Sequence, residues 1–160
     1  MVTNNTLTEA QVWQLLATVT DPEVPVLTIL DLGIVQAVYI HSNHIEIVIT
    51  PTYTGCPAMD MIAMNIKLAF ANMGITTIKI TTVLSPAWTT DWMTEAGKQK
   101  LKAYGIAAPN KKISIPIDGV ECPRCLATNT KLLSEFGSTA CKALYQCNEC
   151  KEPFDYFKCH

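Results

Sequence analysis

With 160 residues and 49% hydrophobic content, the chain is long enough to bury the core of one domain, or of one domain with a small module attached. Its apolar runs fall far short of the roughly 20 residues a membrane span requires, and Met1-Val2-Thr3-Asn4-Asn5 lacks the basic start and apolar middle of a secretion signal, so a soluble cytoplasmic protein is expected. The net charge is −2, and Arg124 is the one arginine among twelve basic residues, which argues against a nucleic-acid or phosphate-reading surface.

Thr8 and Gln11 form a capping-box start, and Val12, Leu15, Leu16 and Val19 recur at helical spacing until Asp21-Pro22 stops the pattern. Two prolines force Asp21-Pro22-Glu23-Val24-Pro25 to be extended or turned, with two carboxylates within three residues. In Asp31-Leu32-Gly33 the glycine can break the local conformation before a strand-like run over 34–41. Ser42-Asn43 then reads as a two-residue turn into 44–50, where Ile45, Ile47 and Ile49 alternate with His44, Glu46 and Val48. His41 and His44 flank that turn and suggest a metal pair, but without a third donor they read as solvated turn residues.

The hairpin delivers the chain to Thr52-Tyr53-Thr54-Gly55-Cys56-Pro57, which contains the one cysteine of the first 120 residues. From Ala58 the apolar residues Met59, Ile62, Ala63, Ile66, Ala69, Phe70 and Met73 follow a helical period, so Cys56 falls at a strand-to-helix corner, at or beside the N-cap. Unpaired N–H groups and the positive dipole end there favour a thiolate. The alternative is a small buried residue filling a corner. Gly74 is placed to stop the helix, and residues 75–83 alternate isoleucine with threonine and lysine as a third strand would. After Ser85-Pro86-Ala87-Trp88, Thr89 or Thr90 can cap one helix running to Tyr104-Gly105. Lys98, Lys100 and Lys102 near its end, with Lys111 and Lys112, read as a solvated helix end or, less simply, as a patch for an acidic partner. Residues 107–119 read as a linker, and the composition changes beyond it: six of the seven cysteines lie between Cys122 and Cys159.

Cys122-Pro123-Arg124-Cys125 and Cys147-Asn148-Glu149-Cys150 are two C-x-x-C pairs separated by 21 residues. Two such pairs can bring four thiolates around one ion, and so short a module needs a metal because its own core is small. Structural Zn2+ on Cys122, Cys125, Cys147 and Cys150 is expected, with an iron or iron–sulfur centre as the rival. Cys141 and Cys159 are left over as buried residues, redox-sensitive thiols or substitute ligands. No phosphate loop, dinucleotide fingerprint or G-x-S-x-G elbow is present, so the parts of an autonomous enzyme are missing.

The motifs Asp21-Pro22-Glu23-Val24-Pro25, Asp31-Leu32-Gly33 and Thr52-x-Thr54-Gly55-Cys56-Pro57 resemble the MIP18/DUF59 family associated with iron–sulfur protein maturation. Leu84-Ser85-Pro86-Ala87-Trp88-Thr89-Thr90-Asp91-Trp92-Met93 and the tail around Phe136-Gly137-Ser138-Thr139, Cys141-Lys142 and Glu152-Pro153-Phe154-Asp155-Tyr156-Phe157-Lys158-Cys159 look closer to its PaaD branch (also called PaaJ). That branch belongs to the phenylacetyl-CoA epoxidase system of aerobic phenylacetate degradation. The resemblance implies an α/β (α+β) fold with an αββαβα MIP18-like domain over 1–110 and a zinc-ribbon-like module over 117–160. It implies an accessory subunit that is not catalytic alone and helps assemble or insert a metal centre, with the system's reductase and oxygenase subunits as partners. By motif position it assigns Cys56 as the reactive thiol, with Asp21, Glu23, Asp31 and Thr54 around it. Leu126 and Lys151 depart from zinc knuckles, where glycine often follows each pair. One thiolate cannot hold an iron–sulfur cluster alone, so a transient cluster at Cys56 would be shared with a second copy in a homodimer, with nearby carboxylates or with a client's cysteines. Competing readings are a purely structural adaptor and a thiol-redox protein using Cys56 with Cys141 or Cys159. A nucleic-acid ribbon is disfavoured by five basic against six acidic residues over 117–160.

Overall fold

The computed structural model describes residues 7–109, 115–117 and 119–158. Met1 to Asn5, Lys111, Lys112 and Cys159, named above, and residues 110–114 and 118 of the expected linker lie outside the described residues. Helix α1 (Glu9–Leu16) starts on the expected capping box: Thr8 Oγ1 accepts from the Gln11 N–H while the Gln11 side chain accepts from the Thr8 N–H at 2.8 Å. Strands β1 (Val35–Ile40) and β2 (Ile45–Ile49) form an antiparallel hairpin closed by the His41 N–H bond to the His44 carbonyl at 2.9 Å. Helix α2 (Ala58–Ala71) carries the chain over to β3 (Ile78–Thr82), which pairs parallel with β2 and completes a sheet of order β1-β2-β3. Ile45, Ile47 and Ile49 face inward onto Val12, Leu16, Ile62, Ile66 and Phe70, so α1 and α2 cover one side of the sheet.

The single helix expected from Thr89 to Tyr104 is two elements. A 3-10 turn (Thr90–Trp92) is followed by extended Met93, and α3 (Glu95–Ala103) begins afresh with Thr94 as N-cap, its Oγ1 accepting from the Gly97 N–H at 2.9 Å. Periodicity alone runs through this break. The interruption buries Met93 and turns the Thr94 N–H to the Asp31 carbonyl at 2.9 Å. Gly33, at φ +68, packs so closely that a Cβ there would lie 2.2 Å from the Trp92 carbonyl oxygen. The lysines near the end of α3, read as a solvated helix end or as a patch for an acidic partner, have partners within the chain. Lys100 pairs with Asp31 at 2.6 Å, Lys98 with Glu95 at 3.7 Å, and Lys102 with Glu121, so these charges are met within the chain.

Strand β4 (Ile106–Ala107) follows α3 directly and pairs parallel with β7 (Pro153–Phe157); β6 (Lys142–Cys147) and β5 (Thr130–Ser134) complete a second sheet of order β4-β7-β6-β5. Tyr145, Tyr156, Phe154 and Val120 make a small core of its own. Phe157, Cys141 and Ile106 pack instead into the larger core, where the Phe157 ring meets Trp88 edge-on with centroids 6.3 Å apart. Among the described residues, no helix is long and apolar enough to cross a membrane.

Candidate functional site

Two groups of chemistry-bearing side chains stand out, and the first is the cysteine cluster. The four sulfurs of Cys122, Cys125, Cys147 and Cys150 lie within 4.8 Å of one another, with Cys125 to Cys147 at 3.5 Å and Cys122 to Cys150 at 3.8 Å. A tetrahedral ion with metal–sulfur bonds of about 2.3 Å has sulfur–sulfur edges of about 3.8 Å, so the donor set fits a tetrathiolate metal. Cys122 and Cys147 are buried, while Cys125 and Cys150 face solvent. Each pair sits on a knuckle turn. The Leu126 N–H returns to the Cys122 carbonyl at 2.9 Å, and the N–H groups of Cys150 and Glu149 point at Cys147 Sγ. Burial raises the Cys147 thiol, but those N–H donors and the neighbouring thiols outweigh it and bring it down to about 7. The two glycine-free positions adopt the knuckle conformation regardless: Leu126 has φ 65 and Lys151 φ 67. They are the described non-glycine residues with positive φ.

The second group surrounds Cys56. Pro57 is the N-cap of α2 and Cys56 precedes it, half-buried, its N–H bonded to the Tyr53 carbonyl at 3.2 Å and its carbonyl accepting from Met59 at 3.3 Å. Thr52 Oγ1 lies 4.0 Å from Cys56 Sγ. Asp21 is buried in the loop after α1, where its Oδ1 accepts from the N–H groups of Glu23 and Val24 at 2.8 and 2.7 Å; burial pushes its carboxyl up against these bonds. Glu23 Oε2 accepts from the Cys141 thiol at 3.5 Å. Burial, opposed by the Thr139 hydroxyl at 3.0 Å and reinforced by the Glu23 charge, pushes Cys141 up to about 12, so it is a protonated donor at neutral pH. The Tyr53 hydroxyl is held above its ordinary value by burial and then by Cys56, Glu23 and Cys141.

Cys56 and Glu23 thus both act on Tyr53, and Asp21 holds the turn that carries Glu23. Asp31 belongs elsewhere: its carboxylate accepts from the Thr28 N–H at 3.0 Å, Thr94 Oγ1 at 3.1 Å and Lys100 Nζ at 2.6 Å, tying the Asp31-Leu32-Gly33 turn to α3. Thr54 is exposed and lines a cavity of about 180 Å3 with Thr50, Tyr53, Leu84 and Trp88. The buried Thr50 hydroxyl has no hydrogen-bond partner among the described residues. Sequence reasoning missed Tyr53 and the placement of Cys141. Tyr53 is in the quoted loop and adjoins Thr54, a visible signal, whereas nothing local ties Cys141 to a residue 118 positions earlier.

The profile of the PaaD zinc beta ribbon domain matches residues 107–158, and that of an iron–sulfur cluster assembly protein matches residues 9–80. Over 152 residues the chain is 49% identical to an Escherichia coli (strain K12) protein named as a candidate component of 1,2-phenylacetyl-CoA epoxidase, covering 93% of this chain and 92% of that one. It is 31% identical over 96 residues to an Fe-S protein maturation auxiliary factor of Porphyromonas gingivalis (strain ATCC BAA-308 / W83), covering 59% of this chain and 90% of that one. Among solved structures, the DUF59 domain of unknown function from Bacillus anthracis superposes with a TM-score of 0.54 at 28% identity, covering 58% of this chain and 90% of that one. A conserved hypothetical protein from Thermotoga maritima, at TM-score 0.51 and 24% identity over 60% of this chain and 95% of that one, shares the fold. With a relative this close over nearly its whole length, and each half matched by its own profile, the chain belongs to the PaaD family, in which a MIP18/DUF59 iron–sulfur cluster assembly domain is joined to a zinc β-ribbon.

Proposed function

We propose that this protein is a cytoplasmic maturation subunit of a phenylacetyl-CoA epoxidase system, acting in aerobic phenylacetate degradation on the iron–sulfur centre of the reductase partner rather than on the organic substrate. The observation that carries the reading is the pairing, in one chain, of an iron–sulfur assembly domain presenting Cys56 at a half-exposed helix start with a ribbon of the epoxidase-associated type. In this reading the two units are residues 1–110 and 117–160, and Cys122, Cys125, Cys147 and Cys150 hold zinc. These four thiolates would hold a zinc ion that cross-links the two knuckles, and with every donor supplied by the chain the role would be structural. Cys56 is the transient cluster ligand. Asp21 and Glu23 set the charge beside it, and Tyr53, which interacts with Cys56, supports the thiol. A cluster needs more ligands than Cys56 offers, and these come from the client or from a second copy of the chain. Met61, Met64 and Leu68 stand exposed along α2 beyond Cys56 and form an apolar stripe on which the client rests.

The test is to make Cys56→Ser in the full chain and co-produce it with the reductase and oxygenase subunits. The variant is expected to keep its fold and one metal per chain, while iron and acid-labile sulfide in the purified reductase fall several-fold. Unchanged reductase occupancy would favour the purely structural adaptor, which predicts stoichiometric co-purification and indifference to Cys56.

A further inference from the structure

The outward face of the first sheet carries a second set of metal-ligating side chains, remote in the fold from the ribbon and of different donor chemistry. His41 ends β1, His44 begins the return, and Glu46 lies two residues along β2, so alternation puts His44 and Glu46 on one face. The tight turn brings His41 onto the same face. The two imidazoles stack with centroids 4.4 Å apart and planes 17° from parallel, and one donor atom from each of His41, His44 and Glu46 lies within 4.8 Å of the others. Two histidines at a solvated turn lack a third donor; Glu46 supplies it.

The surroundings orient these groups. His44 Nδ1 lies 2.7 Å from the Asn43 side-chain oxygen, which leaves Nε2 with a free lone pair when Nδ1 carries the proton. His41 Nε2 faces Glu46 Oε2 at 3.6 Å. The other carboxylate oxygen, Oε1, takes the Thr81 hydroxyl and, at 2.9 Å, Lys79 Nζ. Those two donors fix the orientation of the Glu46 carboxylate. The carboxylate is thus divided: one oxygen is anchored to β3, and the other is presented to the histidines. Ligating side chains oriented by outer hydrogen bonds of this kind are a recurring feature of protein metal sites. Adjacent ligands about an ion with bonds of about 2.1 Å stand roughly 3.0–3.4 Å apart, and rotation of the two imidazoles toward the anchored carboxylate closes the remaining distance.

We propose that His41, His44 and Glu46 form a solvent-open, exchangeable site for a divalent transition metal such as Ni2+ or Zn2+. Three protein ligands with open positions suit a borderline ion that comes and goes, whereas the four ribbon thiolates enclose theirs. Lys79 is the opposing influence, because its ammonium shares the carboxylate. That gives the site an adjustable element.

The experiment is a Ni2+ titration of the full chain already carrying one zinc equivalent, followed by calorimetry and by paramagnetic broadening of backbone amide signals. One further Ni2+ per chain is expected, with broadening centred on 41–46 and without zinc release. His44→Ala and Glu46→Gln should each weaken binding by roughly tenfold or more, and Lys79→Met should tighten it. No broadening at the hairpin, or an affinity indifferent to His44→Ala, overturns the site. Should His44→Ala disturb the hairpin, Lys79→Met decides: tighter binding supports the site and unchanged binding overturns it.

Discussion

Asp31 shows how a residue from a recognisable motif can serve the frame. Four donors converge on its 7%-exposed carboxylate and backbone: the Thr28 and Thr94 N–H groups, the Thr94 hydroxyl and Lys100. Removing the carboxylate as Asp31→Ala strands the Thr28 N–H, the Thr94 hydroxyl and Lys100, while the Thr94 N–H keeps the backbone carbonyl, and a loss of about 2 kcal/mol is expected by denaturant unfolding. Burial tends to raise its carboxyl, but Lys100 and the threonines outweigh that and hold it below the ordinary value of 3.8. As pH falls the unfolded chain takes up this proton first, so the stabilisation is whole above about pH 4 and drains away toward the lower folded value. Asp31→Asn should flatten that acid limb, and a variant whose stability falls as steeply between pH 4 and 2 would contradict the assignment. The aspartate itself was legible in the sequence; its role was not, because Thr94 and Lys100 lie 63 and 69 positions away. Cys56 was legible in place as well as identity, since Gly55, Pro57 and the apolar period after Ala58 are local signals.

At the level of elements, the knuckles test the strength of a local preference. Leu126 and Lys151 adopt the left-handed conformation at a cost of about 1 kcal/mol each, and the convergence of the four sulfurs holds them there. Leu126, 57% exposed, leaves little packing to lose, so Leu126→Gly should raise the stability of the metal-loaded chain by about 1 kcal/mol, read as a shift in its denaturant midpoint. The absence of glycine in the sequence pointed away from a knuckle turn, and the turn forms nonetheless because the ligand geometry outweighs the preference. The break between the 3-10 turn and α3 has a similar origin. The apolar spacing from Trp92 to Leu101 is continuous with one helix, but Thr94 is a better cap than helix interior and Asp31 claims its N–H. The hairpin and the α2 boundaries, by contrast, were readable because alternation, turn residues and proline all agree there.

For the molecule as a whole, the ribbon and the first domain are joined by more than a tether. Strand β4 pairs with β7, and Phe157 and Cys141 complete the larger core. Metal removal should therefore do two things in sequence-resolved hydrogen exchange: β5, β6 and β7 lose protection, and the Trp88 side chain, packed on Phe157, changes its near-ultraviolet signal while β1, β2 and β3 stay protected. Exchange confined to the ribbon with Trp88 unmoved would show two independent bodies. No sequence pattern announced this junction, since a two-residue strand carries no period. The thiol of Cys141 reaching Glu23 has a temporal meaning as well. A chain emerging from the ribosome can fold its hairpin and α2 while the partner of Glu23 is still unmade, because Cys141 and Phe157 lie far downstream of both. The surroundings of Cys56 are therefore complete only after β6 and β7 have been made, and a chain that has reached no further than α2 presents that thiol in an unfinished setting.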